Sequence, residues 1–301
     1  MTPRVGVVVP QNEIGTDPGQ ILAWAKAVES EGFHHLDVFD HVLGADVSGR
    51  PDWPGPYTHE HRFHEPLVLY GYLAGHVELE LATGVLVLPQ RQTALVAKQV
   101  AELDVLSGGR VRLGVGIGWN PVEYESLGLD FRDRARRYEE QIELLRRLWT
   151  EPVVDFVGAH HRIDRAGIAP LPVQRPIPIW MGGGAVPAVL ERIGRLGDGW
   201  LAHEPRAGES VTEAMALVRA SAERAGRDPD AIGLQGRIDV HGPLDRDRFH
   251  RSLDAWLAAG ATHLSLHANG QGGAPAHLEL VPTFADLVRE HLDLPPKELP
   301  T

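Results

Sequence analysis

Short apolar runs alternate with amphipathic stretches along this whole chain. Val5–Val9 reads as a buried strand, and Asp17-Pro18 then starts a helix, Asp as cap and Pro at the first helical position. Ile21, Leu22, Ala25 and Val28 share one helical face, and Gly32 ends it. The pattern continues with a strand at His35–Phe39, a helix at Pro66–Gly75, a strand at Leu79–Leu86 and a helix at Thr93–Leu106. Val111–Gly116 is a fourth strand. After an insertion comes a long charged helix, Asp133–Trp149, with Tyr138, Ile142, Leu145 and Trp149 on its buried face. Val153–Val173 reads as a small hairpin plus loop. Strands at Ile177–Met181, Gly199–Ala202, Ile232–Val240 and His263–His267 then alternate with helices at Pro187–Gly194, Ser210–Ala225, Arg246–Ala259 and Ala276–Leu292.

Eight strand–helix alternations predict a parallel sheet with helical crossovers. Within 301 residues they favour a closed (β/α)8 TIM barrel with insertions over an open doubly wound sheet. Residues 1–294 are expected to form the barrel domain and 295–301 a loose tail. In such barrels functional residues sit at the C-terminal ends of strands. Asp40-His41 follows the second strand, Gly84 lies late in the third, Gly116–Asn120 follows the fourth and Gly182–Gly184 the fifth.

Composition narrows the partners. A net charge of −12 argues against nucleic acid or an anionic membrane surface. No apolar run approaches the ~20 residues that span a bilayer, and MTPRVGVVVP lacks a signal-peptide pattern, so a cytoplasmic protein is expected. With no cysteine there is no disulfide, thiolate or Cys-ligated metal.

The most informative stretch is Leu106–Tyr124, LSGGRVRLGVGIGWNPVEY. Glycines at 114, 116 and 118 let the backbone approach a ligand where a strand ends, or simply permit a tight turn. They do not match the dinucleotide fingerprint, whose last glycine is replaced by Trp119 or Pro121, depending on the starting glycine. Gly182-Gly183-Gly184 before a helix suits a phosphate or a flexible turn. His41 beside Asp40 is a candidate acid/base or an ordinary strand-end histidine. The loop Val42–Glu65 exceeds the usual connection length and carries Trp53, Tyr57, His59, His61 and His64, which suggests a substrate wall or lid. Its histidines also invite a metal-dependent hydrolase reading, but they lie in a Pro-rich loop rather than on a strand end or in a zinc helix, so no metal site is assigned.

Four segments resemble the luciferase-like monooxygenase superfamily, and within it the oxidoreductases that use the deazaflavin coenzyme F420. They are Asp40-His41-Val42-Leu43, TGVLVLPQRQT (Thr83–Thr93), Leu106–Tyr124 and PIPIWMGGGAVPAVLERIGRLGDGW (Pro176–Trp200). The resemblance runs from about Val5 to Trp200. It implies a bacterial-luciferase-like barrel, a homodimer, and a flavin-like ring at the C-terminal mouth resting on a non-prolyl cis peptide, here Gly84–Val85. The family's phosphate contacts fall on Gly182, Gly183 and Gly184, with Gly116 and Gly118 near the ribityl chain or phosphate. Asp40, Trp119 and Asn120 complete the implied cofactor site. His41 matches the histidine that faces the reactive carbon in the sugar-phosphate dehydrogenases of this family. Those enzymes have a glutamate at the position of Trp119 and a tryptophan at that of Ala45, so their substrate does not carry over; Asn120 and Glu123 fit another branch. The expected activity is F420-dependent hydride transfer to or from a small-molecule substrate, with Arg50, Arg62 and Arg91 as candidates for the coenzyme's acidic tail. FMN-dependent monooxygenation with reduced flavin and oxygen is the alternative, and a barrel that binds flavin without turnover is a further reading.

Overall fold

The computed structural model describes residues 2–53, 55–204 and 206–297. Eight parallel strands close into a barrel: β1 (Arg4–Val8), β2 (His35–Val38), β3 (Glu80–Thr83), β4 (Val111–Gly116), β5 (Ile179–Gly183), β6 (Gly199–Ala202), β7 (Gly233–His241) and β8 (His263–Asn269). β1 pairs with β2 and β8, and the ring closes where Leu81 and Ala82 of β3 face Val111 and Arg112 of β4. Around it lie α1 (Pro18–Ser30), α2 (Pro66–Leu73), α3 (Thr93–Leu106), α4 (Pro121–Ser126), α5 (Arg134–Thr150), α6 (Pro187–Leu196), α7 (Glu209–Arg224), α8 (Arg246–Ala258) and α9 (Ala274–Arg289). Among the described residues no helix is long and apolar enough to cross a membrane.

Apolar side chains fill the layer between strands and helices, with Trp24, Trp149, Trp200 and Trp256 fully buried. Each such side chain stabilises the fold by roughly 1.5–3 kcal/mol relative to exposure. Inside the barrel the filling is polar instead. Arg112 donates to Gln235 Oε1 at 2.6 Å, Gln235 donates to Asp37 Oδ2 at 2.7 Å, and Ser265 Oγ donates to the same oxygen at 3.1 Å. Arg112 also lies 4.7 Å from the Trp180 ring centroid. Burial raises the pKa of Asp37, against the nearby Arg112 charge, and drives that of His35 well down. A connected network of this kind stabilises only while its members stay paired.

Three local features depart from the sequence pattern. The third strand breaks at Thr83: Gly84–Val85 is a cis peptide, and strand pairing resumes at Leu86–Val87 against Val115 and Gly116. The insertion after β4 contains the short helix α4, capped by Asn120, whose Oδ1 accepts from Val122 N at 3.0 Å. At the end of the barrel domain Leu294 is buried, and of the tail expected at 295–301 the described part includes Lys297, whose N donates to Ser30 O at the end of α1. Residues 298–301 lie outside the described residues. The hairpin forms as expected from Val154–Val157 and Arg162–Ala166, apart from the barrel sheet.

Candidate active site at the barrel mouth

A cavity of about 360 Å³ opens at the C-terminal ends of the strands. That volume lies within the range of small-molecule sites. Ten of the residues expected there line it: Asp40, His41, Gly84, Val85, Gly116, Gly118, Trp119, Gly182, Gly183 and Gly184. Asn120 does not. It is buried, caps α4 and donates to Leu43 O at 3.2 Å, so it supports the wall rather than forming it.

His41 is held by a partner 82 residues away. Its Nδ1 lies 3.2 Å from Glu123 Oε1, which also accepts from Val42 N at 2.9 Å and Leu43 N at 3.2 Å. Gln90 donates to Glu123 Oε2 at 3.0 Å. Burial pushes the Glu123 carboxyl up, but hydrogen bonds from His41, Gln90 and the Leu43 backbone outweigh it and hold its pKa below the ordinary value. An ionised carboxylate only accepts, so Nδ1 carries a hydrogen and Nε2 is left to exchange a proton. The rings of Tyr57, Phe63 and Trp119 surround the imidazole edge-on, with centroids at 5.2, 4.7 and 5.6 Å. These contacts and the carboxylate fix its plane from two sides.

Asp40 is a strut. Its Oδ2 accepts from Val87 N at 2.9 Å, and its Oδ1 accepts from Arg91 Nη2 at 2.8 Å. Arg91 also donates to Glu65 Oε1 at 2.8 Å. The end of β2 is thereby tied to the segment just beyond the cis peptide and to the start of α2. Arg91 is engaged by these two carboxylates.

The glycines answer to a different constraint from the one their spacing suggests. A Cβ on Gly116 would lie 2.6 Å from Val85 Cγ2, and one on Gly182 2.5 Å from Val85 Cγ1. Both positions are glycine because the bulge pushes the Val85 side chain between the ends of β4 and β5. Gly84 is equally constrained, since a Cβ there would lie 2.3 Å from Asp37 Oδ1. The bulge is therefore packed from below and from both sides, and forms a firm platform at the cavity floor.

Comparison with known proteins places this architecture. The luciferase-like monooxygenase family profile matches residues 3–287. The chain belongs to this family. It is 35% identical to an uncharacterized Mycobacterium tuberculosis protein over 221 residues, covering 71% of this chain and 75% of that protein. It is 30% identical to an F420-dependent glucose-6-phosphate dehydrogenase of Segniliparus rotundus over 253 residues, covering 82% of this chain and 69% of that one. Among solved structures, the coenzyme F420-dependent tetrahydromethanopterin reductase of Methanopyrus kandleri superposes with a TM-score of 0.77. That match covers 97% of this chain and all of the other at 16% identity, and speaks to the fold alone.

This luciferase-like barrel also brings to its mouth residues that spacing alone does not single out. His203, Gln235 and Arg237 line the cavity with Asp37 and Phe39, and Tyr57, from the loop expected as its wall, joins them. Arg237 Nε donates to Asp239 Oδ1 at 2.9 Å, and His267 Nδ1 lies 2.8 Å from the same oxygen. Burial opposes ionisation of Asp239, yet the His267 hydrogen bond and the Arg237 charge outweigh it and bring its pKa to about 2. Burial, then the Arg237 charge, lower the pKa of His203, leaving it neutral at pH 7. The described histidines of the long loop make local contacts. His61 Nδ1 accepts from Thr58 N, and His64 Nε2 lies 3.0 Å from Gly15 O. Among the described residues no three His, Asp or Glu side chains are placed to share an ion.

Proposed function

We propose that this luciferase-like oxidoreductase uses coenzyme F420 and transfers a hydride between it and a small organic substrate at the barrel mouth. The observation that carries the reading is His41, held at the cavity by the buried Glu123 carboxylate beside the Gly84–Val85 platform. The F420-dependent names of relatives near 30% identity support the choice of coenzyme. The glycine-lined rim suits a ring laid on Val85, and the Gly182–Gly184 backbone suits its phosphate, with Gly116 and Gly118 alongside. Bound there, F420 supplies a carbon that accepts or donates a hydride. The chain's own residues do the rest. Asp40 keeps the platform in register with β2, Trp119 walls the substrate side, and His41 Nε2 gives or takes the proton that accompanies the hydride.

Fluorescence titration of the purified protein tests this reading. F420 is expected to bind with a micromolar or lower Kd and FMN at least tenfold more weakly. Tight binding of FMN alone would point to oxygen as co-substrate and to the monooxygenase alternative. Binding of neither would overturn the proposal.

We also propose that the protein is a homodimer joined through α2 and α3. α2, PLVLYGYL, is apolar on every side, which a solvent-facing helix is not. Val68 is 71% exposed and Tyr72 40%, and on the neighbouring α3 Leu95 is 52% exposed. Light scattering is expected to give twice the 32.9 kDa chain mass, and Val68→Glu to shift the population to monomer. A wild-type monomer at micromolar concentration would refute it.

A further inference from the structure

Among the described residues, the cavity is lined by one cation that hydride transfer leaves without a task. Arg237 lines it, with Nε committed to Asp239 at 2.9 Å. Among the described residues neither Nη group has a hydrogen-bond acceptor. Both ends of a guanidinium fork therefore remain available beside the cavity. Asp239 is itself steadied by His267 at 2.8 Å, and the Arg237 guanidinium lies 5.7 Å from the Phe39 ring centroid. These contacts restrict the side chain before any ligand arrives, which reduces the entropy lost on binding.

The neighbours of Arg237 do not compete for it. The Glu123 and Asp40 carboxylates are engaged by His41, Gln90 and Arg91. Tyr57 and His203, which share the cavity, are neutral at pH 7, while Asp37 accepts from Gln235 and Ser265 through Oδ2 and keeps its unpartnered Oδ1 buried against Gly84. The protein as a whole carries −12, so a cationic fork in this cavity opposes the general field. A partly enclosed fork makes charge-assisted, paired hydrogen bonds that an exposed lysine does not.

We propose that Arg237 anchors the anionic group of the substrate, so that the molecule oxidised or reduced is a small organic carboxylate or phosphate ester. The inference rests on the redox reading of this cavity and adds the substrate class. The anionic group docks on the Nη pair of β7, and the reacting part of the molecule extends toward His41 past Tyr57.

Calorimetric titration with matched probes tests it, using protein saturated with F420 and, separately, protein without it. The probes are benzoate, phenyl phosphate and the neutral benzamide. Benzoate or phenyl phosphate is expected to bind at least tenfold tighter than benzamide, and whichever binds tighter names the anion. Arg237→Met is expected to bring the three within about twofold, and Arg237→Lys to retain part of the preference. F420 affinity should change by less than twofold in both variants. Equal binding of all probes to the wild type overturns the proposal, as does an anion preference that survives in Arg237→Met. A loss of F420 affinity in the variants would assign Arg237 to the coenzyme instead. Should F420 fail to bind the wild type, the redox reading falls, and the anion preference is still decided on protein without F420. Thermal melts establish folding, and if Arg237→Met is unfolded the lysine variant and the wild-type probe ratio decide.

Discussion

His41→Ala is expected to lower the turnover number by about 10²–10⁴-fold while F420 affinity stays within about threefold. The asymmetry follows from the geometry. In the proposed role the imidazole exchanges a proton through Nε2, whereas the platform and the glycine rim that line the same cavity belong to other elements. Because His41 also packs against Tyr57, Phe63 and Trp119, truncation leaves a gap, and His41→Gln fills it without restoring a titratable group. Both variants should therefore be slow, and a histidine substitution with undiminished turnover would remove the acid/base role. Glu123→Gln keeps the shape but loses the charge that fixes Nδ1–H, and a fall of about 10–100-fold is expected. Glu123→Ala goes further, because Val42 N, Leu43 N and Gln90 lose their acceptor. Hydrogen bonds to a charged group contribute about 1.5–3 kcal/mol each, so the loop root should loosen and the melting temperature drop. The sign with pH follows from the lowered pKa of Glu123. Its stabilisation is fully present above the ordinary carboxylate range and disappears only as the pH falls through the depressed folded value.

The second large effect concerns the platform. Gly116→Ala places a methyl 2.6 Å from Val85 Cγ2. Overpacking of this kind costs about 1–3 kcal/mol, and displacement of Val85 should weaken F420 binding by at least tenfold. Adding Val85→Ala to Gly116→Ala removes both γ-methyls and leaves 3.4 Å to the Val85 Cβ, close to ordinary contact. The double variant should recover most of the stability and affinity. If Val85→Ala rescues neither, the glycine answers to something other than the bulge.

The barrel was legible because its outer faces are regular. Each strand presents apolar residues to the helices, and cap residues such as Asp17-Pro18 mark helix starts without ambiguity. The strand ends were legible too, since Asp40-His41 and the glycine runs interrupt apolar segments. The interior face was not. Along β7 the residues Gln235, Arg237, Asp239 and His241 alternate with Leu234, Ile238 and Val240, and on a strand such polar alternation ordinarily signals solvent. Here it signals a barrel filled with hydrogen-bonded side chains, a distinction that depends on closure and not on local pattern. The partnership of Glu123 with His41 was hidden for another reason. α4 is six residues long, too short for a periodic signal, and its carboxylate meets His41 only once β2 and β4 are neighbours of β3 in space. The glycines were found for an incomplete reason, because the sequence marks Val85 as part of the expected cis peptide but does not show its side chain lying between Gly116 and Gly182.

The long segment after β2 is clamped at both ends: Glu123 holds Val42 and Leu43, while Glu65 caps α2 and pairs with Arg91. Its interior is tied mostly to itself, through His59 N to Ala45 O and Trp53 Nε1 to Tyr57 O. The stretch from Gly44 to Phe63 is thus anchored at its ends and supplies two of the rings, Tyr57 and Phe63, that pack on His41. Replacing it would alter what the mouth admits and the packing on the imidazole together, leaving the buried Glu123 carboxylate as the partner that stays.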